Sequence, residues 1–209
     1  NYDHVPATGK KVDYCPSLWG GKNWPYDAYN PKTGQIYVPA NDNVCNSWTG
    51  VLQEDVEPTS GSWWAGMDLT DLKVYLRDPS KSVGKLEAWN VNTRDVAWSH
   101  EFGKTMDWGP VMTTASGLVF NAGTNDRKLR AFDAESGKIL WEFPLNSVSI
   151  SPPVTYEIDG KQYLAVVAGY GVDAQWTNGV LAAADPSGEW NGDAPVGGAI
   201  WVFALPDAS

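Results

Sequence analysis

Residues 85–98 and 128–141 carry one pattern twice, and that duplication restricts the fold of this 209-residue chain more than any other feature. Lys85-Leu86-Glu87-Ala88-Trp89-Asn90-Val91-Asn92-Thr93-Arg94-Asp95-Val96-Ala97-Trp98 aligns without gaps on Lys128-Leu129-Arg130-Ala131-Phe132-Asp133-Ala134-Glu135-Ser136-Gly137-Lys138-Ile139-Leu140-Trp141. Trp98 and Trp141 lie 43 residues apart. Each copy reads as a strand, a turn and a second strand, and that unit at a period of roughly 40–45 residues marks the blades of a β-propeller. A single blade has faces it cannot bury alone, so it needs neighbours.

The rest of the chain follows the same ruler. Gly34, Gly117 and Gly160 each precede an aromatic residue by three positions (Tyr37, Phe120, Tyr163), and the last two glycines are again 43 apart. The turns Asn30-Pro31-Lys32-Thr33-Gly34, Ala115-Ser116-Gly117 and Asp159-Gly160 have hairpin chemistry. The spacing predicts one partial β-propeller over 1–209, with blades near 24–101, 108–143 and 151–204 and excursions near 41–83 and 169–198. The last blade, ending at Ala199-Ile200-Trp201-Val202-Phe203-Ala204, has three strands where four are expected. Propellers need about four to eight blades to close, and an open ring exposes raw edges. The expected fold class is therefore all-β, the C-terminal blades (about three, the last incomplete) of a larger propeller. The alternative is a small complete all-β domain with a coincidental duplication.

Gly 21, Pro 14 and 19% charged residues suit a turn-rich β protein. Trp98 and Trp141 end equivalent strands and are expected to dock between blades. No stretch approaches the ~20 apolar residues of a membrane span, so none is expected. Asn1-Tyr2-Asp3-His4 shows no signal-peptide pattern, which in a piece of a longer chain carries no information on export. A net charge of −10 argues against a nucleic-acid surface and suits a basic protein partner.

Cys15 and Cys45 are the two cysteines, and His4 and His100 the two histidines. That is too few ligands for a zinc site. A disulfide is favoured over free thiols. It would close a loop of roughly 30 residues, worth on the order of 3–4 kcal/mol in the chain-entropy treatment, and would imply an oxidising compartment.

No nucleophile elbow, phosphate loop, zinc-helix motif or dinucleotide fingerprint is present. No carboxylate pair is nominated by spacing as acid and base. Three segments break the blade pattern by joining glycine to an aromatic: Trp19-Gly20-Gly21-Lys22-Asn23-Trp24-Pro25, Met106-Asp107-Trp108-Gly109-Pro110-Val111 and Ala168-Gly169-Tyr170-Gly171-Val172. Each adjoins an innermost strand, where propellers bind ligands. Glycine admits close backbone approach, and aromatics offer flat faces or N–H donors. Simple blade corners explain the same segments equally well. In the excursion near 41–83, Trp48, Trp63, Trp64 and Met67 would form either an aromatic lid or a satellite cluster on the blade exterior, the second being favoured.

At these residues the chain resembles the pyrroloquinoline-quinone (PQQ)-dependent alcohol dehydrogenases of the methanol and ethanol dehydrogenase type, over nearly its whole length. Four motifs carry the resemblance, in family order. They are Cys15 to Trp24 with Tyr29 to Gly34, Trp108 to Phe120, Ala131 to Phe143, and Pro152 to Tyr163. The resemblance implies the C-terminal part of a periplasmic eight-bladed propeller. It implies that Asn23, with Trp24 beside it, contacts the quinone ring, and that the Trp108 indole N–H reaches a cofactor carboxylate or edge oxygen. Tyr170 and Val172 fall on the third cofactor contact, where many members carry Trp and Gly, and Pro110 replaces a frequent glycine. A Cys15–Cys45 disulfide is also found in several members.

The resemblance further implies alcohol oxidation. A Ca²⁺ or lanthanide ion polarises the quinone C5 carbonyl, an Asp takes the hydroxyl proton, hydride passes to C5, and electrons leave to a cytochrome c. The catalytic base and the metal ligands of the family lie upstream, so no catalytic residue and no metal ligand is assigned in this chain. The implied partners are the remaining N-terminal blades, the alcohol and the cytochrome. The rival reading is a non-enzymatic propeller of the same repeats acting as a binding scaffold, as in outer-membrane assembly lipoproteins. A degenerate, inactive copy of the enzyme is a third.

Overall fold

Apolar residues alternate with polar ones between glycine turns, and this pattern folds into antiparallel hairpins. The structure is a computed structural model that describes residues 2–5, 7–52, 54, 60–61, 70–184, 189–190, 194–195 and 197–204. In chain order the strands are β1 (Lys11–Tyr14), β2 (Ala28–Asn30), β3 (Gln35–Ala40), β4 (Val44–Thr49), β5 (Lys73–Leu76), β6 (Lys85–Asn90) and β7 (Val96–Glu101). They continue with β8 (Met112–Thr113), β9 (Leu118–Asn121), β10 (Lys128–Asp133), β11 (Ile139–Pro144), β12 (Val154–Ile158), β13 (Lys161–Ala168) and β14 (Ala199–Ala204). One helix, α1 (Val172–Ala184), stands between the last two strands.

Three sheets follow one another along the chain, in the orders β2-β3-β6-β7, β8-β9-β10-β11 and β12-β13-β14. The duplicated sequence is duplicated in register. Ala88 pairs with Trp98 and Ala131 with Trp141, and each ladder shifts at the very next pair. Arg94 and Gly137, 43 residues apart, both hold the left-handed region, at φ 67° and 69°.

The sheets pack face to face. Tyr37, Leu86, Ala88 and Trp98 of the first meet Val119 and Phe132 of the second. Phe120, Leu129 and Ala131 of the second meet Leu164 and Val166 of the third. Trp98 is the wedge of the first interface. Its indole N–H donates to the Ala134 carbonyl at 3.0 Å and its ring stacks on Phe132 at 6.1 Å. Trp141, by contrast, is 39% exposed against 9% for Trp98. Ala204 pairs with Tyr163 as Ala131 pairs with Phe120. The counterpart of Ala134 that would cover Trp141 is therefore residue 207, outside the described residues.

Both ends of the stack are apolar and open. The third sheet exposes Val154, Tyr156, Ile158, Val167, Ile200 and Val202, and the first exposes Tyr29, Trp89 and Val96. Isolated globular surfaces rarely leave such contiguous apolar faces bare.

The two excursions contain structure that the repeat does not predict. From the first, β4 and β5 join β1 in a separate sheet of order β1-β4-β5. Trp48 lies in β4 and its ring sits 4.9 Å from that of Tyr14; Trp63, Trp64 and Met67 lie outside the described residues. The second excursion begins with α1. Its Val-Asp-Ala-Gln-Trp-Thr-Asn-Gly run has weak helix propensity, and burial of Ala174, Thr177, Asn178 and Leu181 decides its state. The helix packs against β5. Cys15, just after β1, is disulfide-bonded to Cys45 in β4, with 4.5 Å between their Cα atoms. No described helix is long and apolar enough to cross a membrane.

Candidate cofactor site

The three glycine–aromatic segments meet beside the stack. Trp19, Trp108 and Met106 share one buried cluster with Val44 of β4 and Ala174 and Leu181 of α1, and Tyr170 packs against it. Satellite sheet and helix thus form the far wall of a cluster whose near wall is the loop before β8.

That loop is held by a polar lattice. Asp107 is wholly buried. Its backbone N–H donates to Asn41 Oδ1 at 2.8 Å, and the Asn41 amide donates back to its carbonyl at 3.1 Å. Its carboxylate accepts the Gly109 N–H at 2.9 Å and the Asn121 amide at 2.9 and 3.1 Å. Burial drives the Asp107 carboxyl up to about 7, against the hydrogen bonds from Gly109 and Asn121. The Trp108 backbone N–H donates to the Gly123 carbonyl at 3.0 Å. Gly109 and Gly123 cross so closely that a Cβ on Gly123 would lie 1.6 Å from the Gly109 nitrogen. Only paired glycines permit that crossing.

Trp108 is 1% exposed, and its indole Nε1 is buried without a hydrogen-bond partner among the described residues. Leaving such a donor unpaired costs roughly 1–3 kcal/mol. The ring centroid of Trp24 lies 5.9 Å from that of Trp108. Asn23 is turned inward on its own loop: its amide donates to the Trp19 carbonyl at 2.7 Å and its Oδ1 accepts the Trp24 N–H at 2.8 Å. The Tyr170 hydroxyl lies 3.2 Å from Asn125 Oδ1 and 3.3 Å from the Ala174 carbonyl, and the Asn178 amide donates to it. Val172 opens α1, and its side chain lies outside the described residues.

Of the residues nominated from sequence, Trp24 and Trp108 touch, Tyr170 joins the same cluster, and Asn23 adjoins it. Asn41, Asp107 and Asn121 escaped nomination, although Asp107 sits inside a singled-out segment. At strand ends Asn and Asp look like turn residues; only burial shows that these three bind one another. Among the described residues no group of three His, Cys, Asp or Glu side chains is placed to hold a metal.

Residues 3–164 match the PQQ family described as "Glucose/ethanol/alcohol dehydrogenase, beta-propeller domain". The chain belongs to this family. It is 40% identical over 198 residues to a quinoprotein ethanol dehydrogenase of Pseudomonas aeruginosa, covering 95% of this chain and 29% of that protein. It is 35% identical over 201 residues to a 1-butanol dehydrogenase (quinone) of Thauera butanivorans, covering 96% of this chain and 30% of that one. A europium-containing methanol dehydrogenase superposes with a TM-score of 0.80 at 27% identity, over 98% of this chain and 37% of that chain. The chain thus spans under a third of the length of these curated relatives. As a PQQ-family propeller segment it carries a fitting feature for the quinone. The buried, partnerless Trp108 N–H is a donor that an electron-rich quinone oxygen would satisfy. The Tyr170 hydroxyl is already engaged within the protein and fits less well.

Proposed function

We propose that this chain is one wall of the PQQ site in a larger quinoprotein alcohol dehydrogenase, made of its C-terminal blades. The observation that carries the reading is the partnerless Trp108 N–H, buried in a segment of a PQQ-family propeller. The bare apolar faces at both ends of the stack support the presence of further blades of an eight-bladed ring.

When bound, PQQ supplies the two-electron acceptor for alcohol oxidation. Trp108 would hold it through its indole N–H, Asn23 would offer its remaining amide proton, and Trp24 would shield the Trp108 ring from water. Tyr170 contributes packing at the third contact, next to which Val172 stands in the sequence. The general base and the ligands of a Ca²⁺ or lanthanide ion belong to the other blades. A cytochrome c in the periplasm accepts the electrons, and the disulfide suits that oxidising compartment.

Native mass spectrometry of the purified protein tests this. A species heavier than 22.8 kDa by several blades and carrying the mass of PQQ is expected, with alcohol-dependent dye reduction. PQQ-dependent turnover by the 209 residues alone would sink the one-wall assignment. A complete assembly that takes up no PQQ would sink the quinoprotein assignment.

A further inference from the structure

Asp107 is a fully buried carboxylate with no basic side chain among its hydrogen-bond partners in the described residues. Its partners come from three separate places in the chain. Asn41 follows β3, Gly109 lies two residues on, and Asn121 ends β9. Asn121 also donates to the Gly109 carbonyl at 3.1 Å, so both flanks of Trp108 are tied to one side chain. Burying an acidic group this way opposes stability, and an apolar residue would fill the space at lower cost. A carboxylate offers what an apolar residue cannot: several acceptor sites in one place.

We propose that Asp107 is a positioning residue of the quinone site, holding the Trp108 loop through Asn41, Gly109 and Asn121 so that the indole N–H keeps a fixed direction. The inference rests on the reading of Trp108 as a quinone contact. Asp107 itself touches no cofactor. It acts through the loop, and its effect is spent entirely on that one N–H.

The test is a double-mutant cycle in the complete enzyme. Each apo variant is titrated with PQQ by quenching of protein fluorescence, well below its own unfolding temperature, and thermal unfolding is recorded alongside. Trp108→Phe removes the N–H and is expected to weaken PQQ binding about tenfold. If it binds as the parent does, the underlying reading of Trp108 fails. Asp107→Ala is expected to weaken binding to a similar degree, and the double variant no further than Trp108→Phe alone, because coupled groups are non-additive. Asn121→Ala keeps the carboxylate and removes its side-chain donor. It is expected to show the same non-additivity with a smaller loss, and it carries the test if Asp107→Ala does not fold. Lowered thermal stability with unchanged PQQ affinity, or losses that add in full to that of Trp108→Phe, would overturn the proposal while leaving the Trp108 reading intact.

Discussion

The Trp98 indole lies directly over the Cα of Gly137, close enough that a Cβ at 137 would meet the ring at 2.5 Å. Gly137 also holds φ 69°. Its repeat counterpart, Arg94, holds φ 67° but is exposed. Backbone conformation and contact therefore separate at these two positions. Gly137→Ala incurs both the left-handed penalty and the collision and is expected to lose at least ~2 kcal/mol. Arg94→Gly relieves only the backbone and is expected to gain up to about 1 kcal/mol. Urea unfolding of both variants checks this; a Gly137→Ala variant as stable as the parent refutes the wedge.

Trp98 and Trp141 occupy one sequence position and two environments. Trp98→Phe removes a buried donor from the Ala134 carbonyl, which keeps the Tyr37 hydroxyl at 3.1 Å, and is expected to cost about 1–2 kcal/mol. Trp141→Phe alters a half-open ring and is expected to cost less than half of that. Equal losses in denaturant titrations would mean that Trp141 is as fully docked as Trp98.

The Cys15–Cys45 bridge ties the segment after β1 to β4. Across its separation of 30 residues, removal as the double serine variant is expected to destabilise the chain by roughly 3 kcal/mol. The β1-β4-β5 sheet should loosen before the three stacked sheets, since the bridge anchors the end of β1 to β4 beside their pairing. Hydrogen exchange with and without reductant reads this; uniform protection in both states would show that the bridge is dispensable.

Asp107 sets a pH slope. Burial raises its carboxyl to about 7 in the folded protein, whereas in the unfolded chain it returns to about 4. Between these values the folded state keeps a proton that the unfolded state has lost. The stability tied to Asp107 is thus complete below pH ~4 and falls as pH rises toward 7. The Arg130 charge lowers this carboxyl and the Asp126 charge raises it, and these two partly cancel. Asp107→Asn does not titrate. Its stability relative to the parent is expected to improve from pH 4 to 8, by up to about 1.4 kcal/mol per unit of pH between the two pKa values. A difference that is flat with pH would contradict the buried, ionisable Asp107 described here.

Hairpins, sheet order and stacking were legible because their signals are local. A turn glycine, an alternating strand and a repeated Trp lie within one 43-residue period. The satellite sheet was not legible because β1 pairs β4 across distant sequence, Lys11 with Thr49, and neither strand carries a turn signal that announces the other. Helix α1 was invisible for a related reason: its residues favour no helix until Ala174, Thr177 and Leu181 are covered.

The sequence by itself determined the blade repeat, the family and the glycine–aromatic segments that meet in one cluster, since these depend on residue identity and short spacing. Only the tertiary structure decided that Asp107, Asn41 and Asn121 form one buried lattice around Trp108, that Trp98 is covered and Trp141 is not, and that the Tyr170 hydroxyl is spent on Asn125 and α1. Burial is a property of what surrounds a residue, and the surroundings of each of these come from segments far from it along the chain.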